Sequence, residues 1–89
     1  MRIAILFGSK DCDSCQTAWQ VIESYGISED FLSIYVDALA DETQNLCDFY
    51  DVDELPHIVY MGKTTDSSFI ATGIESLPDV VRNIDSDAK

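Results

Sequence analysis

The feature that most restricts what this chain can fold into is its cysteine motif, Cys12-Asp13-Ser14-Cys15, which lies between an apolar run and a helical pattern. The run at 2–7 contains Ile, Ala, Leu and Phe without alternation, which is typical of a strand buried on both faces. After the motif begins, apolar residues fall at helical spacing on one face: Cys15, Ala18, Val21, Ile22 and Tyr25. The motif therefore opens a helix that follows directly on a buried strand.

The rest of the chain predicts three further strands and two further helices. Strands are expected at 31–36, 57–61 and 68–72, and helices open at Asp41 and Ser76, where Asp41 with Gln44 and Ser76 with Asp79 have capping-box spacing. The order is β-α-β-α-β-β-α. A helix joins the first two strands, so we expect them to be parallel, and the last two should form a hairpin. We expect one domain over 1–89, with 85–89 as a frayed tail.

The charge of the chain limits the classes of partner that it can bind. Five Lys and Arg residues face 17 Asp and Glu residues, which gives a formal net charge of −12. Nucleic acids and anionic membranes are bound mainly through Lys and Arg, so we expect neither as a partner. A surface this negative favours a protein partner with a basic surface, although solubility alone would also explain it.

The cysteine content and the N-terminal segment indicate a cytoplasmic protein. Three cysteines cannot form a complete disulfide framework within one chain. The apolar run at 3–7 is too short for the core of a secretion signal, and no stretch approaches the ~18 apolar residues of a membrane span. In a reducing compartment, a Cys-x-x-Cys motif is more often catalytic or metal-binding than structural. We also expect a monomer.

The position of the motif suggests thiol chemistry. A thiolate at the start of a helix is stabilised by free backbone N–H groups and by the positive end of the helix dipole. Cys12 would lie at the exposed lip and attack a disulfide, and Cys15, about one turn further in, would resolve the mixed disulfide. Lys10 favours the Cys12 thiolate while Asp11 and Asp13 disfavour it, so we expect a reductant rather than a strong oxidant.

Other roles for these and the remaining candidate residues stay open. Cys12, Cys15, Cys47 and His57 would make a Cys₃His zinc set, although the last two are separated by ten residues rather than closely paired. Cys47 is otherwise a small core residue or a regulatory thiol. For His57 we expect a surface or capping role, the alternative being a proton relay near Cys15.

Four further positions carry a resemblance to a known family. Phe7 lies five residues before Cys12, Ala18 lies three after Cys15, Leu55-Pro56 precedes an apolar strand, and Gly73 precedes the last helix. With the cysteine motif, they make the chain similar to the small glutaredoxin-like and thioredoxin-like redoxins of the thioredoxin-fold superfamily. The resemblance implies an α/β, minimal thioredoxin fold, in which three helices flank a central four-stranded mixed sheet.

The resemblance also implies a function and a substrate site. It implies a dithiol–disulfide oxidoreductase that reduces protein disulfides and is recharged by a reductase, with the Cys12-Cys15 disulfide as its redox centre and no other cofactor. Pro56 would be a cis-proline against the cysteines, and Leu55, Pro56 and Gly73 would contact substrate. Glutathione is a doubtful substrate because Lys10 is the only basic residue near the motif. A binding or adaptor module with vestigial cysteines is the alternative, which the unusual Asp-Ser pair leaves open.

Overall fold

The predicted order of strands and helices is confirmed in a computed structural model, which describes residues 1–88. The strands are β1 (Arg2–Gly8), β2 (Phe31–Asp37), β3 (His57–Met61) and β4 (Phe69–Thr72). The helices are α1 (Asp13–Ser24), α2 (Gln44–Phe49) and α3 (Leu77–Asp87), and short 3₁₀ turns precede α2 and α3. Over these residues, no helix combines the length and the apolar character needed to cross a membrane.

The four strands form one mixed sheet in the order β2-β1-β3-β4. β1 is parallel to β2, with Leu6 opposite Tyr35, and antiparallel to β3, with Phe7 opposite His57. β3 and β4 form the predicted hairpin. The sheet therefore has the α/β topology expected of the resemblance. The C-terminal ends of β1, β2 and β4 and the start of β3 lie at the same end of the sheet, which we call the cysteine end.

The core lies in two layers because successive side chains of a strand point to opposite faces of the sheet. The first layer, against α1 and α3, comprises Ala4, Leu6, Ala18, Ile22, Phe31, Ile58, Tyr60, Val80 and Ile84. The second layer, against α2, comprises Phe7, Val36, Cys47 and Val59. Full burial of a side chain such as Ile22 contributes roughly 1.5–3 kcal/mol, so the first layer supplies most of the apolar stabilisation and anchors the helix that carries the cysteine motif.

The two predicted capping boxes are wrong. Asp41 lies in a 3₁₀ turn before α2, and the Gln44 side chain donates to the Ala38 carbonyl at 2.9 Å instead of capping the helix. At α3, the Ser76 hydroxyl donates to the Gly73 carbonyl at 2.7 Å and accepts nothing from the helix. In both places a carbonyl group of the preceding connection accepts the side-chain hydrogen bond, so the side chain does not cap the helix.

The expected frayed tail at 85–89 is wrong over 85–87, because α3 continues through Asp87. Tyrosine hydroxyls hold this last turn: Tyr25 donates to Asp85 at 2.8 Å, and Tyr60 donates to Asp87. The Tyr60 bond lowers the pKa of Asp87, while burial and the bond to Asp85 raise the pKa of Tyr25 to about 12. Lys89, the end of the predicted tail, lies outside the described residues.

Candidate active site

Cys12 and Cys15 are joined by a disulfide at the cysteine end, with their Cα atoms 5.2 Å apart. Cys12 is partly exposed, whereas Cys15 is 0% exposed and lies in the interior. The sequence placed Cys12 at an exposed lip and Cys15 further in, and the structure agrees. One sulfur can therefore meet an external molecule while the other is held behind it.

Cys12 caps the N-terminus of α1 with its own sulfur. Its backbone is extended, and its Sγ accepts a hydrogen bond from the Cys15 backbone N–H at 3.1 Å. The Ser14 hydroxyl lies 3.4 Å from the same sulfur. In the reduced protein these groups would stabilise a Cys12 thiolate, because a negative sulfur is a stronger acceptor than a neutral one. Ser14 is thus part of the site, which spacing within the first helical turn could have indicated.

The residues predicted to affect the stability of the Cys12 thiolate lie near the disulfide; they are Lys10, Asp11 and Asp13. All three are exposed, and no side-chain hydrogen bond joins any of them to either sulfur in the described part of the chain. They can act only through charge screened by water, which weakens exposed pairs. Their tuning role remains a prediction, and the direct contacts belong to Ser14 and the helix backbone.

The Leu55-Pro56 pair and Gly73 are also at the cysteine end. The Leu55–Pro56 peptide bond is cis, as the resemblance implied, and Pro56 is buried. The Gly73 N–H donates to the Pro56 carbonyl at 2.9 Å, which ties the end of β4 to the start of β3. Since Phe7 pairs with His57, the register continues with Pro56 across from the end of β1, next to the motif.

Gly8, which ends β1, is a further residue of the site. A β-carbon at this position would lie 2.9 Å from the Cys15 β-carbon and 2.8 Å from the Tyr35 hydroxyl oxygen. Only a residue without a side chain lets Cys15 pack this closely against β1. A glycine that ends an otherwise apolar strand is the sequence signal for such a close approach.

The zinc set considered from the sequence is not brought together. Cys12 and Cys15 belong to α1, which packs on one face of the sheet, whereas Cys47 and His57 lie on the other face. The Cys47 thiol is buried and directed at the Ala38 carbonyl, with the sulfur and oxygen 3.8 Å apart. Over residues 1–88, no three or more His, Cys, Asp and Glu side chains converge as a metal would require. Cys47 is a core residue, as expected.

The expected surface or capping role of His57 is wrong. Its side chain is 3% exposed and meets the Phe7 ring edge-on at 5.6 Å between centroids. Neither ring nitrogen has a hydrogen-bond partner among the described residues. Burial lowers the pKa of His57, although Asp53 and Asp51 act in the opposite direction. Because His57 and Cys15 lie on opposite faces of the sheet, it is not a relay to that thiol either.

Burial of His57 predicts a pH dependence of stability. Below about pH 6.5 the unfolded chain takes up a proton that the folded protein resists, so the free energy of unfolding falls as the pH falls. We expect His57→Leu to remove this part of the acid destabilisation and, at pH 7, to be neutral or stabilising by up to about 1 kcal/mol. Urea unfolding of both proteins between pH 5 and 7.5 measures this. Equal pH slopes, with a variant less stable at pH 7, would contradict it.

An open pocket lies beside Leu55 and is called the Leu55 pocket below. It has a volume of about 260 Å³ and is lined by Ala38, Leu39, Gln44, Cys47, Asp48, Val52, Asp53, Glu54 and Leu55. Its lining combines aliphatic side chains with three carboxylates. Such a pocket suits a segment that brings both apolar surface and positive charge.

The electrostatic character of the cysteine end is negative. The connections at this end of the sheet carry exposed acidic side chains, among them Asp11, Asp53, Glu54 and Glu75. Asp13 follows in the first turn of α1, and Asp37 ends β2. Of the Lys and Arg residues within 1–88, Lys10 is the one that lies in these connections. Whatever approaches the disulfide therefore meets a local excess of negative charge.

Comparison with known proteins relates this architecture to a known fold. No protein-family model matches the sequence, and neither does any curated protein sequence. Among solved structures, a mutant thioredoxin from Halobacterium salinarum is 21% identical with a TM-score of 0.74, covering 99% of this chain and 75% of its own. Trichomonas vaginalis thioredoxin is 21% identical with a TM-score of 0.73, covering 96% of this chain and 78% of its own.

A further similar structure, described as that of a malarial protein, covers 100% of this chain and 99% of its own, at 20% identity and a TM-score of 0.73. At these identities the likeness is one of fold. It agrees with the mixed four-stranded sheet and the three helices of this chain. The chain therefore has the thioredoxin fold.

Proposed function

We propose that the protein is a thiol–disulfide oxidoreductase that reduces protein disulfides. The observation that carries the proposal is the disulfide between a partly exposed sulfur at a helix start and a fully buried second sulfur. The backbone N–H at 3.1 Å from Cys12 Sγ would hold that sulfur as the attacking thiolate. The fold found in the comparisons is compatible with this chemistry but does not by itself establish it.

The reaction proceeds in two exchange steps. The Cys12 thiolate attacks one sulfur of the substrate disulfide, so that a mixed disulfide forms and the other substrate sulfur leaves as a thiolate and takes a proton from water. Cys15 then gives its proton to water and attacks Cys12 Sγ. The Cys12–Cys15 bond forms, and the second substrate sulfur leaves and is protonated. The substrate gains two electrons, which a dithiol or a reductase must restore to the protein.

The surface around the disulfide supports a protein substrate with basic side chains. The Leu55 pocket offers aliphatic side chains and three carboxylates within reach of the chain before Pro56. Glutathione carries two carboxylates of its own, so the negative cysteine end would repel it. We therefore propose a basic protein disulfide as substrate, recycling by a reductase, and a cytoplasmic setting in which such a dithiol stays reduced.

Reduction of insulin by dithiothreitol tests the proposed activity. We expect catalytic amounts of the protein to accelerate precipitation of the insulin B chain well above the rate with dithiothreitol alone, and to act poorly on oxidised glutathione. An absence of acceleration by folded protein whose Cys12–Cys15 bond forms normally would favour a binding module with vestigial cysteines.

The charge of the cysteine end predicts a salt-dependent preference for basic substrates. Neutralising the pocket rim with Asp53→Asn and Glu54→Gln should slow reduction of a Lys- and Arg-flanked disulfide peptide by about fivefold at low salt. The difference should largely disappear at about 0.5 M salt, because the charges are then screened. Initial rates at both salt concentrations measure the effect.

A matched control makes the same change of charge at the opposite end of the sheet. Glu29→Gln and Asp66→Asn alter exposed residues in the connections before β2 and β4. We expect this double variant to keep the wild-type rate. Equal losses in both double variants would mean that net charge, rather than the cysteine end, controls the encounter.

A further inference from the structure

The Tyr35 hydroxyl is a buried polar group with no hydrogen-bond partner among residues 1–88. Unpaired buried hydroxyls are uncommon in folded proteins because each loses its bonds to water, so this one calls for an explanation. It does not point into an apolar layer. A β-carbon added to Gly8 would lie 2.8 Å from the Tyr35 oxygen and 3.2 Å from Cys15 Sγ, so the hydroxyl and the buried sulfur share the open face of Gly8.

Packing holds the Tyr35 ring in this place. Tyr35 pairs with Leu6 in the parallel register of β1 and β2, and its ring meets Trp19 of α1 edge-on at 5.4 Å between centroids. A cavity of about 260 Å³ opens on its outer side, lined by Lys10, Gln16, Trp19, Tyr35 and Asp37. Lys10 and Asp37 are the charged groups that face it there. The hydroxyl thus lies between solvent and the buried thiol.

The buried Cys15 thiol must be deprotonated before it can attack Cys12. Cys15 is 0% exposed, yet it must lose its proton to attack Cys12 Sγ, and burial without a partner disfavours a thiolate. Asp11, Asp13 and Lys10 are exposed at the outer side of the motif, and Glu54 and Glu75 surround Gly73. No hydrogen bond joins any of these side chains to Cys15 in the described residues.

We propose that Tyr35 is a positioning residue for the second exchange step, its hydroxyl donating a hydrogen bond to Cys15 Sγ once the Cys12–Cys15 bond is open. The inference rests on the proposed function and adds a residue to its resolving step. Burial raises the pKa of Tyr35 and the Asp37 charge acts in the same direction, while the neighbouring Gln16 side chain acts in the opposite one, so the hydroxyl keeps its proton at neutral pH and serves as a donor. It stabilises the negative sulfur without itself reacting.

The step balances with water as the proton acceptor. Starting from a Cys12 mixed disulfide, the Cys15 thiol gives its proton to water. The Cys15 thiolate, which accepts a hydrogen bond from the Tyr35 hydroxyl, attacks Cys12 Sγ. The Cys12–Cys15 bond forms, and the bond from Cys12 to the departing sulfur breaks. The departing thiolate takes a proton from solvent. Tyr35 ends the step in the same protonation state in which it began.

The test measures closure of the disulfide directly. In a Cys47→Ser background, attack of reduced Cys12 on one equivalent of Ellman's reagent gives the mixed disulfide and releases a first nitrothiobenzoate. Attack by Cys15 then closes the Cys12–Cys15 bond and releases a second coloured nitrothiobenzoate, which is the signal that is followed. We expect Tyr35→Phe to slow release about tenfold at pH 7 and to move the pH–rate profile up by about one pH unit, with an unchanged plateau at high pH. Superimposable profiles for Tyr35→Phe and Tyr35 proteins would overturn the proposal.

Two comparisons separate this proposal from a general structural effect and from the proposed function. Tyr25→Phe removes a hydroxyl bonded to Asp85 at the opposite end of the sheet, and its closure profile should match the parent protein. If Tyr35→Phe lowers the plateau without moving the profile, the residue is only structural and the proposal fails. If insulin reduction fails in every variant, the proposed function falls, whereas nitrothiobenzoate release still decides the role of Tyr35.

Discussion

The Cys12→Ser protein is expected to lose disulfide reduction, with the insulin rate falling about a hundredfold or more, to that of dithiothreitol alone. Serine cannot form the mixed disulfide because its oxygen is neither an adequate nucleophile at neutral pH nor able to bond covalently to a substrate sulfur in this exchange. Cys15→Ser should behave differently. Cys12 can still attack, but no second thiol remains to release the product, so the mixed disulfide should accumulate.

Intact-mass measurement after incubation with an oxidised protein substrate distinguishes these variants. We expect a covalent adduct with Cys15→Ser, removed by dithiothreitol, and no adduct with Cys12→Ser. Cys47→Ser is the matched control for thiol identity, since Cys47 is buried on the other face of the sheet, and adduct formation through Cys12 should persist in it. Adducts formed through Cys47, or equal activity in all three variants, would contradict the assignment of Cys12 as the attacking thiol.

The sequence predicts the topology of this protein well because its signals are periodic and local. The apolar run that becomes β1 and the helical spacing after Cys12 both report burial, and burial follows from hydrophobicity in a chain of this size. The third strand, His57–Met61, has the predicted bounds. The capping boxes fail because a side chain such as Gln44 chooses between the helix and the carbonyls of the preceding turn, and sequence spacing does not show which is closer.

The residues of the site divide in the same way. Cys12 and Cys15 are found from local spacing, and Gly8 has the local signal of a glycine that ends an apolar strand. Tyr35 lies near the buried sulfur only because β2 pairs with β1. His57 shows the reverse case, since a polar residue after a proline suggests a surface position. The register instead places it against Phe7 in the second core layer. Contacts between residues of different strands have no fixed sequence separation, so sequence spacing does not predict them.

Gly73→Ala should cause a large loss of stability. Gly73 has φ +81° and ψ 150°, a combination that residues with a β-carbon adopt only at high cost. A β-carbon there would also lie 2.7 Å from a Glu54 carboxylate oxygen. The exposed Glu54 side chain can move aside, so backbone strain is the main cost and should lower the free energy of unfolding by up to about 3 kcal/mol, measured as a shift of the urea midpoint at unchanged slope.

The same substitution should weaken activity in the fraction that stays folded, because the Gly73 N–H holds the Pro56 carbonyl at 2.9 Å and so fixes the chain next to Leu55. A displacement there should lower kcat/KM for insulin about tenfold while release of nitrothiobenzoate from Cys12 stays near the wild-type rate. Gly26→Ala is the control, since Gly26 is exposed and its φ is not positive, so that its unfolding free energy should change by less than about 1 kcal/mol. If Gly73→Ala and Gly26→Ala unfold at the same urea concentration, the positive φ at position 73 does not require glycine. The hydrogen bond from the residue 73 N–H to the Pro56 carbonyl would then form without it.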